Sequence, residues 1–534
     1  MKWRSTSGAL GTSNSPDPPK GGVRGALESI LPVGRFSDER TILAGTGQNV
    51  VGLVAAMLAA VATQVLITRA LGAAAFGVVT VATQLAFVGG AATRFGMDMA
   101  AVRRVSIDVG RGERARVRSV VTRAAAIAAA VSLAVAAGVF VASDGLARAF
   151  TTTPVDGRTA FRAAAIALPF VALAQVYLGA TRGLKVMRHT LYIYWLGQPA
   201  AWIGLMLLGW VWAQTVGVSV LAYAGSWVVA TATAAWVWRR LTTGFGKLPP
   251  EPWETRDLIR YGAPRAPAAL FSQLLFWIDL FVLARFASSS EVGVYAAAVR
   301  AAQVILLFLI SVNYVFSPFV ADLHARGERD RLDSLFKSLT RWMLAATLPI
   351  FIVLAVAPET VLRLFGDGFE SGRTALLILM AGQLINVATG SVGFILIMVG
   401  RTGVDLAINA AAVVLSAATA VLLVPRYGME GAAIAGGLTL GLSNLCRLAL
   451  VWRHLRIQPF TLEYLRLAVP LVAGTGAAWL AHLVARDGGW QADLALTAIA
   501  GTIAYGAALV AAGLPARERR AALGLLSAVV RRAN

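Results

Sequence analysis

The chain has 534 residues, of which 57% are hydrophobic and 14% charged, and its formal net charge at pH 7 is +21. Soluble proteins of this length are about half apolar or less, so the composition indicates a membrane protein. The basic residues are scattered over many short segments instead of sharing one soluble module with base-stacking aromatic residues, so no nucleic-acid partner is expected.

Apolar stretches recur along the whole chain and predict spanning helices, because most of them approach the ~20 residues needed to cross ~30 Å of hydrocarbon. They cover 43–67, 76–93, 124–143, 163–181, 191–211, 216–238, 266–287, 292–316, 342–357, 374–399, 404–424, 431–452, 467–485 and 494–513. The predicted fold class is therefore an all-α polytopic membrane protein with about 14 transmembrane helices.

The basic residues orient these helices. With a cytoplasmic N-terminus, 37 of the 48 Lys and Arg residues fall in the cytoplasmic gaps and tails, and 9 lie in or beside the outer gaps. Cytoplasmic loops are enriched in Lys and Arg, so the pattern predicts that both chain ends are cytoplasmic. The expected location is the cytoplasmic membrane of a bacterium, in contact with its lipids.

The chain contains a weak internal repeat. An offset of 216 residues aligns Arg69 with Arg285 and Gly77 with Gly293, and an offset of 219 aligns Arg182 with Arg401. Helices 1–6 and 7–12 both begin on the cytoplasmic side, so the halves are predicted to be parallel repeats with a substrate path between them. Chance similarity of small-residue turns is the alternative.

The predicted domains follow from this repeat. They are a disordered cytoplasmic tail (1–42), a first lobe (43–238), a cytoplasmic linker (239–265), a second lobe (266–453), two additional helices (454–513) and a basic cytoplasmic tail (514–534). The disorder of the first tail is predicted from its Ser, Gly and Pro content.

Charged residues inside the predicted membrane region are candidate functional residues, because burying a charge there costs ~2.5 to 3.5 kcal/mol unless it faces a cavity or a partner. Asp279 in helix 7 and Arg300 in helix 8 lie at similar depth. One interpretation is a salt bridge that holds this hairpin together. In the other, Arg300 faces the cavity and binds an anion, with Asp279 as the ion-coupling residue. Arg447 lies near the end of helix 12 and is interpreted as reaching the lipid headgroups.

Polar residues at matching depth extend the candidate cavity. The offset of 216 places Gln84 of helix 2 opposite Arg300, and helix 1 contributes Gln48 and Asn49. The alternative role for these amides is hydrogen bonding between packed helices.

Cytoplasmic arginines are candidates for the first contact with a phosphate group, because guanidinium groups form bidentate hydrogen bonds with phosphate. They are Arg94, Arg103, Arg104, Arg182 and Arg401. A role limited to setting membrane topology is the alternative. No metal site or cofactor is expected, since the single cysteine and four histidines lack ligand spacing.

Several segments resemble the polysaccharide-flippase branch of the multidrug, oligosaccharidyl-lipid and polysaccharide exporter superfamily. Among them are Arg69-Ala-Leu-Gly-Ala-Ala-Ala-Phe-Gly, Gly382-Gln-Leu-Ile-Asn, Met398-Val-Gly-Arg and Val424-Pro-Arg-Tyr-Gly-Met-Glu-Gly-Ala-Ala, within a similarity that covers about residues 40–460. The resemblance implies two six-helix lobes that open alternately and move a polyprenyl-diphosphate-linked oligosaccharide to the outer leaflet.

The resemblance also assigns a role to one residue. Related lipid II flippases carry an arginine of helix 8 in their cavity, and Arg300 matches it within Tyr295-Ala-Ala-Ala-Val-Arg. Helix 1 departs from those flippases, since it lacks their arginines and offers only Gln48, Asn49 and Gln64. A glycan polymerase or assembly machinery is a candidate partner.

Two other functions stay open at this point. An ion-coupled exporter of organic cations needs an acidic cavity, whereas the charged residues predicted within the membrane sum to +1. A membrane glycosyltransferase or polymerase needs catalytic acids or a large loop on the outer face, where the gaps are short. The sequence therefore favours a transporter that is not an enzyme.

Overall fold

The computed structural model describes residues 37–246, 248 and 252–513. The side chains of 37–51, 252, 253, 314, 315, 317 and 318 lie outside the described part. The predicted tails fall outside it as well, apart from residues 37–42. Within these bounds the chain is helical and contains no β-strand.

Nineteen α-helices are numbered here in chain order, with short 3₁₀ and π turns between some of them. They are α1 (Ser37–Thr93), α2 (Met97–Gly110), α3 (Arg114–Val141), α4 (Ser143–Phe150), α5 (Pro154–Gly183), α6 (Arg188–Trp210), α7 (Val216–Leu241), α8 (Pro252–Gly262), α9 (Arg265–Leu274), α10 (Ile278–Phe286), α11 (Ser289–Gln303), α12 (Leu307–Ala325), α13 (Arg329–Val356), α14 (Pro358–Leu362), α15 (Arg373–Thr389), α16 (Val392–Met398), α17 (Thr402–Leu455), α18 (Ala468–Ala485) and α19 (Trp490–Ala508).

Eleven helices of the described part are long and apolar enough to cross a membrane, and a bent pair raises this number to twelve. The bent pair joins Glu254–Leu274 to Ile278–Phe286 at an angle of 60°. Two of the eleven, α1 and α17, contain non-helical backbone at Gly72 (φ 80°) and Gly428 (φ 52°). Glycine adopts positive φ without steric cost, so one residue interrupts each long helix where the sequence predicts a turn.

Helix boundaries differ from the predictions at several points. The predicted helix 374–399 is two helices, because the chain breaks at Gly390 (φ 72°) between α15 and α16. The predicted helix 342–357 begins earlier, at Arg329. The short helices α2, α4 and α8 were not predicted, because they are too short and too polar to stand out from the gaps between apolar stretches.

Alanine is the most frequent residue of the main buried core. Ala82 and Ala164 of the first half and Ala297 and Ala298 of the second half are buried in one continuous core. Small residues let helix backbones approach closely, which is the usual packing of membrane helices. Large apolar side chains such as Val472, Val484 and Ile503 are instead exposed on α18 and α19, as expected for surfaces that contact lipid.

The two halves of the chain meet where α1 crosses α11. A Cβ atom added to Gly77 would lie 2.0 Å from the carbonyl oxygen of Ser289, and one added to Gly293 would lie 2.0 Å from that of Ala73. The offset of 216 residues aligns Gly77 with Gly293 and Ala73 with Ser289, so the internal repeat converts one contact into the other. We call this contact the glycine crossing; the two backbones touch there because neither glycine has a side chain.

Other contacts between the halves lie around the glycine crossing. The Thr152 hydroxyl and the Ser289 hydroxyl are 3.0 Å apart, and the guanidinium group of Arg69 donates to the carbonyl oxygens of Arg363 and Leu364 at 3.0 Å. Ser289 is the first residue of α11, so these bonds and the glycine crossing join the halves at one end of the molecule.

Candidate functional site: a cavity between the two halves

A cavity of about 380 Å³ lies between the halves. Its walls come from α1, α6 and α7 on one side and from α9, α11, α12 and the bend after α9 on the other. Small-molecule sites have volumes of ~300 to 1,000 Å³, so this cavity is large enough for a diphosphate and a neighbouring group.

Arg300 and Gln84, which the repeat places at matching depth, lie on different halves of the chain around this cavity. Arg300 lies seven residues after Gly293 and Gln84 lies seven residues after Gly77, which places each about two helical turns, or ~10 Å, from the glycine crossing. Both residues line the cavity. Gln84 is 8% exposed and makes no hydrogen bond with the described residues. The predicted cavity residues Gln48 and Asn49 belong to α1, but their side chains lie outside the described residues.

Arg300 carries the only formal charge among the described residues that line the cavity. Its guanidinium carbon lies 4.6 Å from the centre of the Trp277 ring, and Nη1 donates to Oε1 of Gln303 at 3.3 Å. Neither partner neutralises it, and none of the described carboxylates forms an ion pair with it. The cation is therefore held by a ring face and an amide and keeps its charge for an anion.

Asp279 does not pair with Arg300, so of the two interpretations of these residues the salt bridge within the hairpin is wrong. Its Oδ2 accepts a hydrogen bond from the Tyr295 hydroxyl at 2.5 Å, and its Oδ1 accepts one from the Leu280 backbone at 2.8 Å. Tyr295 and Arg300 are five residues apart on α11 and therefore point ~140° apart around that helix. Asp279 packs on the Tyr295 side, against Gly436 of α17, and does not line the cavity.

Aromatic side chains form much of the cavity wall contributed by the first half, and the sequence analysis missed them. They are Tyr194, Trp195, Trp202, Tyr223 and Trp227. Tryptophan and tyrosine in membrane helices are enriched at the two interfaces, whereas Trp202 lies near the middle of the predicted helix 191–211. That unusual depth is the sequence feature from which this cavity wall could have been predicted.

Three glutamines complete this wall. Gln64 is 7% exposed, and its Oε1 accepts no hydrogen bond from the described residues. Gln198 donates from Nε2 to Ser226 at 2.9 Å. Together with Gln84 they supply neutral donors and acceptors, and no carboxylate lines the cavity within the described part of the chain.

The arginines that are predicted to be cytoplasmic do not form one open phosphate site. Arg94 pairs with Asp98 at 3.4 Å, and both Arg103 and Arg104 lie 3.7 Å from Asp257 of α8. The two α2 arginines therefore already hold the helix that leads into the second half. Arg182 has a partner, and Arg401 is exposed at the start of α17.

Arg104 also contacts Asp108, at 3.3 Å. Asp108 is buried, and this desolvation raises the pKa of its carboxyl above 3.8 although Arg104 opposes the rise. Glu113 and Glu254 add to the increase, while Arg116 lowers the pKa as Arg104 does. These charged residues link α2 to the start of α3 and to α8, on the side of the molecule that is predicted to be cytoplasmic.

Arg447 is buried within the second half, so its predicted position among lipid headgroups is wrong. Nε donates to Asp405 at 2.9 Å and Nη2 donates to Asn409 at 2.6 Å, which joins the two arms of α17. Ser443 accepts a further bond at 3.3 Å. A buried ion pair with this many hydrogen bonds is a structural element, whose disruption is strongly destabilising.

Comparison with known protein families adds two findings. The family model described as polysaccharide biosynthesis protein matches residues 42–324, just over half of the chain. The MatE family model matches residues 264–422.

One curated relative is the "probable low-salt glycan biosynthesis flippase Agl15" of Haloferax volcanii, which is 24% identical over 214 residues. The match covers 40% of this chain and 45% of the relative, so the chain spans under half of that relative's length.

Solved structures of multidrug resistance MATE family transporters of the MOP superfamily share the fold. An inward-facing one superposes with a TM-score of 0.60 at 14% identity, over 81% of this chain and 98% of that one. An outward-facing one has a TM-score of 0.56 at 14% identity, over 79% and 97% of the two chains.

Proposed function

This chain belongs to the polysaccharide biosynthesis protein family, and we propose that it is a flippase that moves a polyprenyl-diphosphate-linked oligosaccharide from the cytoplasmic leaflet to the outer leaflet. The observation that carries the proposal is the central cavity, with one unneutralised guanidinium and no carboxylate among its described lining residues. Unassisted passage would bring the diphosphate and sugar hydroxyls into hydrocarbon without hydrogen-bond partners, and the cavity replaces those partners.

The proposed architecture has fourteen spans, with both chain ends cytoplasmic. The count follows when α1 and α17 are each divided at their kinked glycine and the bent pair is counted as one span. Two parallel lobes (43–238 and 266–453) are joined by the linker 239–265 and followed by the helices of 454–513. Alternating access then consists of breaking the glycine crossing on one side of the cavity while the lobes close on the other.

Arg300 binds the diphosphate in this mechanism. A guanidinium group forms strong, charge-assisted hydrogen bonds with phosphate oxygens, and stacking on Trp277 holds it toward the cavity. Arg94, Arg103, Arg104, Arg182 and Arg401 attract the anionic headgroup at the cytoplasmic surface before it reaches Arg300. The carboxylate partners of Arg103 and Arg104 must then share these cations with the arriving phosphate.

Asp279 is the proposed ion-coupling residue. Its carboxyl group is buried, with the Tyr295 hydroxyl and a backbone amide as its hydrogen-bond partners, so gaining or losing a proton changes the stability of the packing between α10, α11 and α17. Driving force would come from a proton gradient or membrane potential, which supplies ~2.3 kcal/mol per charge per 100 mV.

Ion-coupled export of organic cations is the second candidate, and the MATE-like fold favours it. The cavity favours the first candidate, because a cationic drug would meet Arg300 and no counter-charge among the described lining residues. A membrane glycosyltransferase remains the weakest candidate. The proposed setting is the bacterial cytoplasmic membrane, with a glycan polymerase or assembly machinery as the partner.

The direct test is translocation by the purified protein in liposomes that contain a fluorescent polyprenyl-diphosphate glycan. Arg300→Ala should reduce the initial rate about 10- to 100-fold, since a hydrogen bond to a charged group contributes ~1.5 to 3 kcal/mol. Arg300→Lys should recover part of it. The matched control is Arg426→Ala, which removes an exposed arginine of α17 and should leave the rate unchanged. Wild-type translocation by Arg300→Ala would refute the proposed binding role.

A further inference from the structure

We propose that the wall of the cavity formed by the first half of the chain binds an uncharged sugar ring, so that the substrate is a polyprenyl diphosphate whose first sugar is neutral. The inference rests on the proposed flippase function and assigns the second side of the same cavity. Arg300 would hold the diphosphate, and the aromatic and amide wall opposite would hold the sugar attached to it.

The aromatic rings of this wall are fixed in place before any ligand arrives. Trp202 and Tyr223 have ring centres 4.9 Å apart at 67°, and Tyr194 and Trp195 have ring centres 5.0 Å apart at 90°. Trp202 is also anchored by a hydrogen bond of 2.9 Å from its indole nitrogen to the Ser219 carbonyl. A rigid aromatic wall suits a pyranose ring, whose C–H groups carry partial positive charge and pack on the negative face of an aromatic ring.

The glutamines of the same wall suit sugar hydroxyl groups. Gln64 Oε1 is buried without a donor from the described residues, and Gln84 makes no hydrogen bond there. A buried polar group without a partner costs ~1 to 3 kcal/mol, so a ligand that supplies a hydroxyl donor recovers that energy. The amide groups are neutral and therefore match a neutral ligand.

Charge separates the permitted sugars from the excluded ones. Arg300, Tyr194 and Tyr223 line the same cavity, so its two sides are adjacent. It is the only formal cation among the described lining residues, and a diphosphate already carries more negative charge than it can neutralise. A uronic acid as the first sugar would bring a further carboxylate against aromatic rings without a counter-charge, which is strongly unfavourable.

The test compares the binding of three probes to the protein in lipid nanodiscs. The probes are a short polyprenyl diphosphate without sugar, the same lipid with one N-acetylglucosamine and the same lipid with one glucuronic acid. The N-acetylglucosamine probe should bind about tenfold more tightly than either of the others, a ratio that equals ~1.4 kcal/mol.

Substitutions then assign this preference to the wall. Trp195 is half-buried and forms no hydrogen bond with the described residues, so Trp195→Ala should fold normally. It should weaken N-acetylglucosamine probe binding about 5- to 10-fold and leave binding of the sugarless probe unchanged, while Trp195→Phe keeps most of the affinity. Gln64→Leu should act in the same direction. Trp479→Ala, which removes a tryptophan 53% exposed on α18, is the matched control.

The outcomes separate this inference from the function on which it rests. Equal binding of the N-acetylglucosamine and sugarless probes, or equal weakening of both by Trp195→Ala, would overturn the sugar site and leave the flippase proposal intact. Tighter binding of the glucuronic acid probe would overturn the neutral-sugar assignment. If none of the probes bound, the proposed function and the sugar site would both be rejected.

Discussion

Replacing Gly77 with alanine should weaken the contact that closes one end of the cavity. The new Cβ atom would lie 2.0 Å from the carbonyl oxygen of Ser289 and 3.0 Å from the backbone nitrogen of Gly293. Both atoms belong to the backbone, so no side chain can rotate away and the helices α1 and α11 must separate. Overpacking of this kind costs ~1 to 3 kcal/mol.

The cost falls only on the conformation in which the crossing is closed. A difference of ~1 to 3 kcal/mol shifts a two-state equilibrium about 5- to 150-fold, toward the state in which this end of the cavity is open. Gly293→Ala should have the same effect, because its Cβ would lie 2.0 Å from the Ala73 carbonyl oxygen. Two variants on opposite helices thus test one contact.

A matched control is available on α6. A Cβ atom added to the exposed residue Gly204 meets no atom within 4 Å, so Gly204→Ala changes the same residue type in a membrane helix without overpacking. Alanine is favoured over glycine within a helix by ~0.5 to 1 kcal/mol, and the control should therefore be neutral or slightly stabilising.

The assay measures the distance between spin labels on the two halves. With Cys446 replaced by serine, labels at Val155 and Asp367 report on the end that contains the crossing, since both side chains are exposed there. Gly77→Ala and Gly293→Ala should both add a population with a longer distance, and Gly204→Ala should not. An unchanged distance distribution in both crossing variants, together with normal translocation, would refute the idea that these helices separate during transport.

Three further predictions concern buried charges. Arg447→Leu should lower the free energy of unfolding in denaturant titrations by ~3 to 5 kcal/mol, because Asp405 is left buried without its partner, and adding Asp405→Leu should restore part of the loss. Asp108→Asn should raise the melting temperature at pH 7. Burial raises the pKa of the Asp108 carboxyl, so the native state binds this proton more tightly than the unfolded chain does. The wild-type protein therefore loses stability as the pH rises from the ordinary value of 3.8 through the native pKa, and the neutral amide avoids this loss. Asp279→Asn should make translocation in liposomes independent of an imposed proton gradient. The amide still accepts the hydrogen bond from Tyr295, but it cannot change its charge by gaining or losing a proton.

Each of these has a contradicting result. An Arg447→Leu variant as stable as the wild type would show that the buried pair is dispensable. Below pH 3.8 the Asp108 carboxyl of the wild type is protonated, so it is as neutral as the amide of the variant. A stability gain for Asp108→Asn that persists unchanged there would assign the gain to packing instead of charge. Gradient-dependent transport by Asp279→Asn would place the coupling group elsewhere.

The matching depth of Gln84 and Arg300 can be inferred from the sequence, because matched glycines mark the internal repeat. Aligning Gly77 with Gly293 placed Gln84 opposite Arg300, and the structure brings both side chains to one cavity at equal distance from the crossing. Helix geometry is regular, so once one pair of positions is matched, positions seven residues further along are matched in depth as well.

The partners of the charged residues were not predictable in the same way. Asp279 and Arg300 share a depth but point in different directions, and depth alone cannot show rotation about a helix axis. For Arg447 the missing information was long-range: its partner Asp405 lies 42 positions earlier, at the very start of a predicted helix. Hydropathy locates spans, whereas the pairing of buried charges depends on how those spans pack.

Among the described residues that line the cavity, those of the first half include no arginine. The repeat gives both halves the same crossing, yet one half places a glutamine where the other places Arg300. A symmetric cavity with a cation on each side would suit a ligand charged at both ends. An asymmetric cavity, with a guanidinium on one side and aromatic rings and amides on the other, suits a ligand with one anionic end and one hydroxyl-rich neutral end. The proposed sugar diphosphate is such a ligand, and a helix 1 without arginines suits its neutral end, which the proposal assigns to the first half.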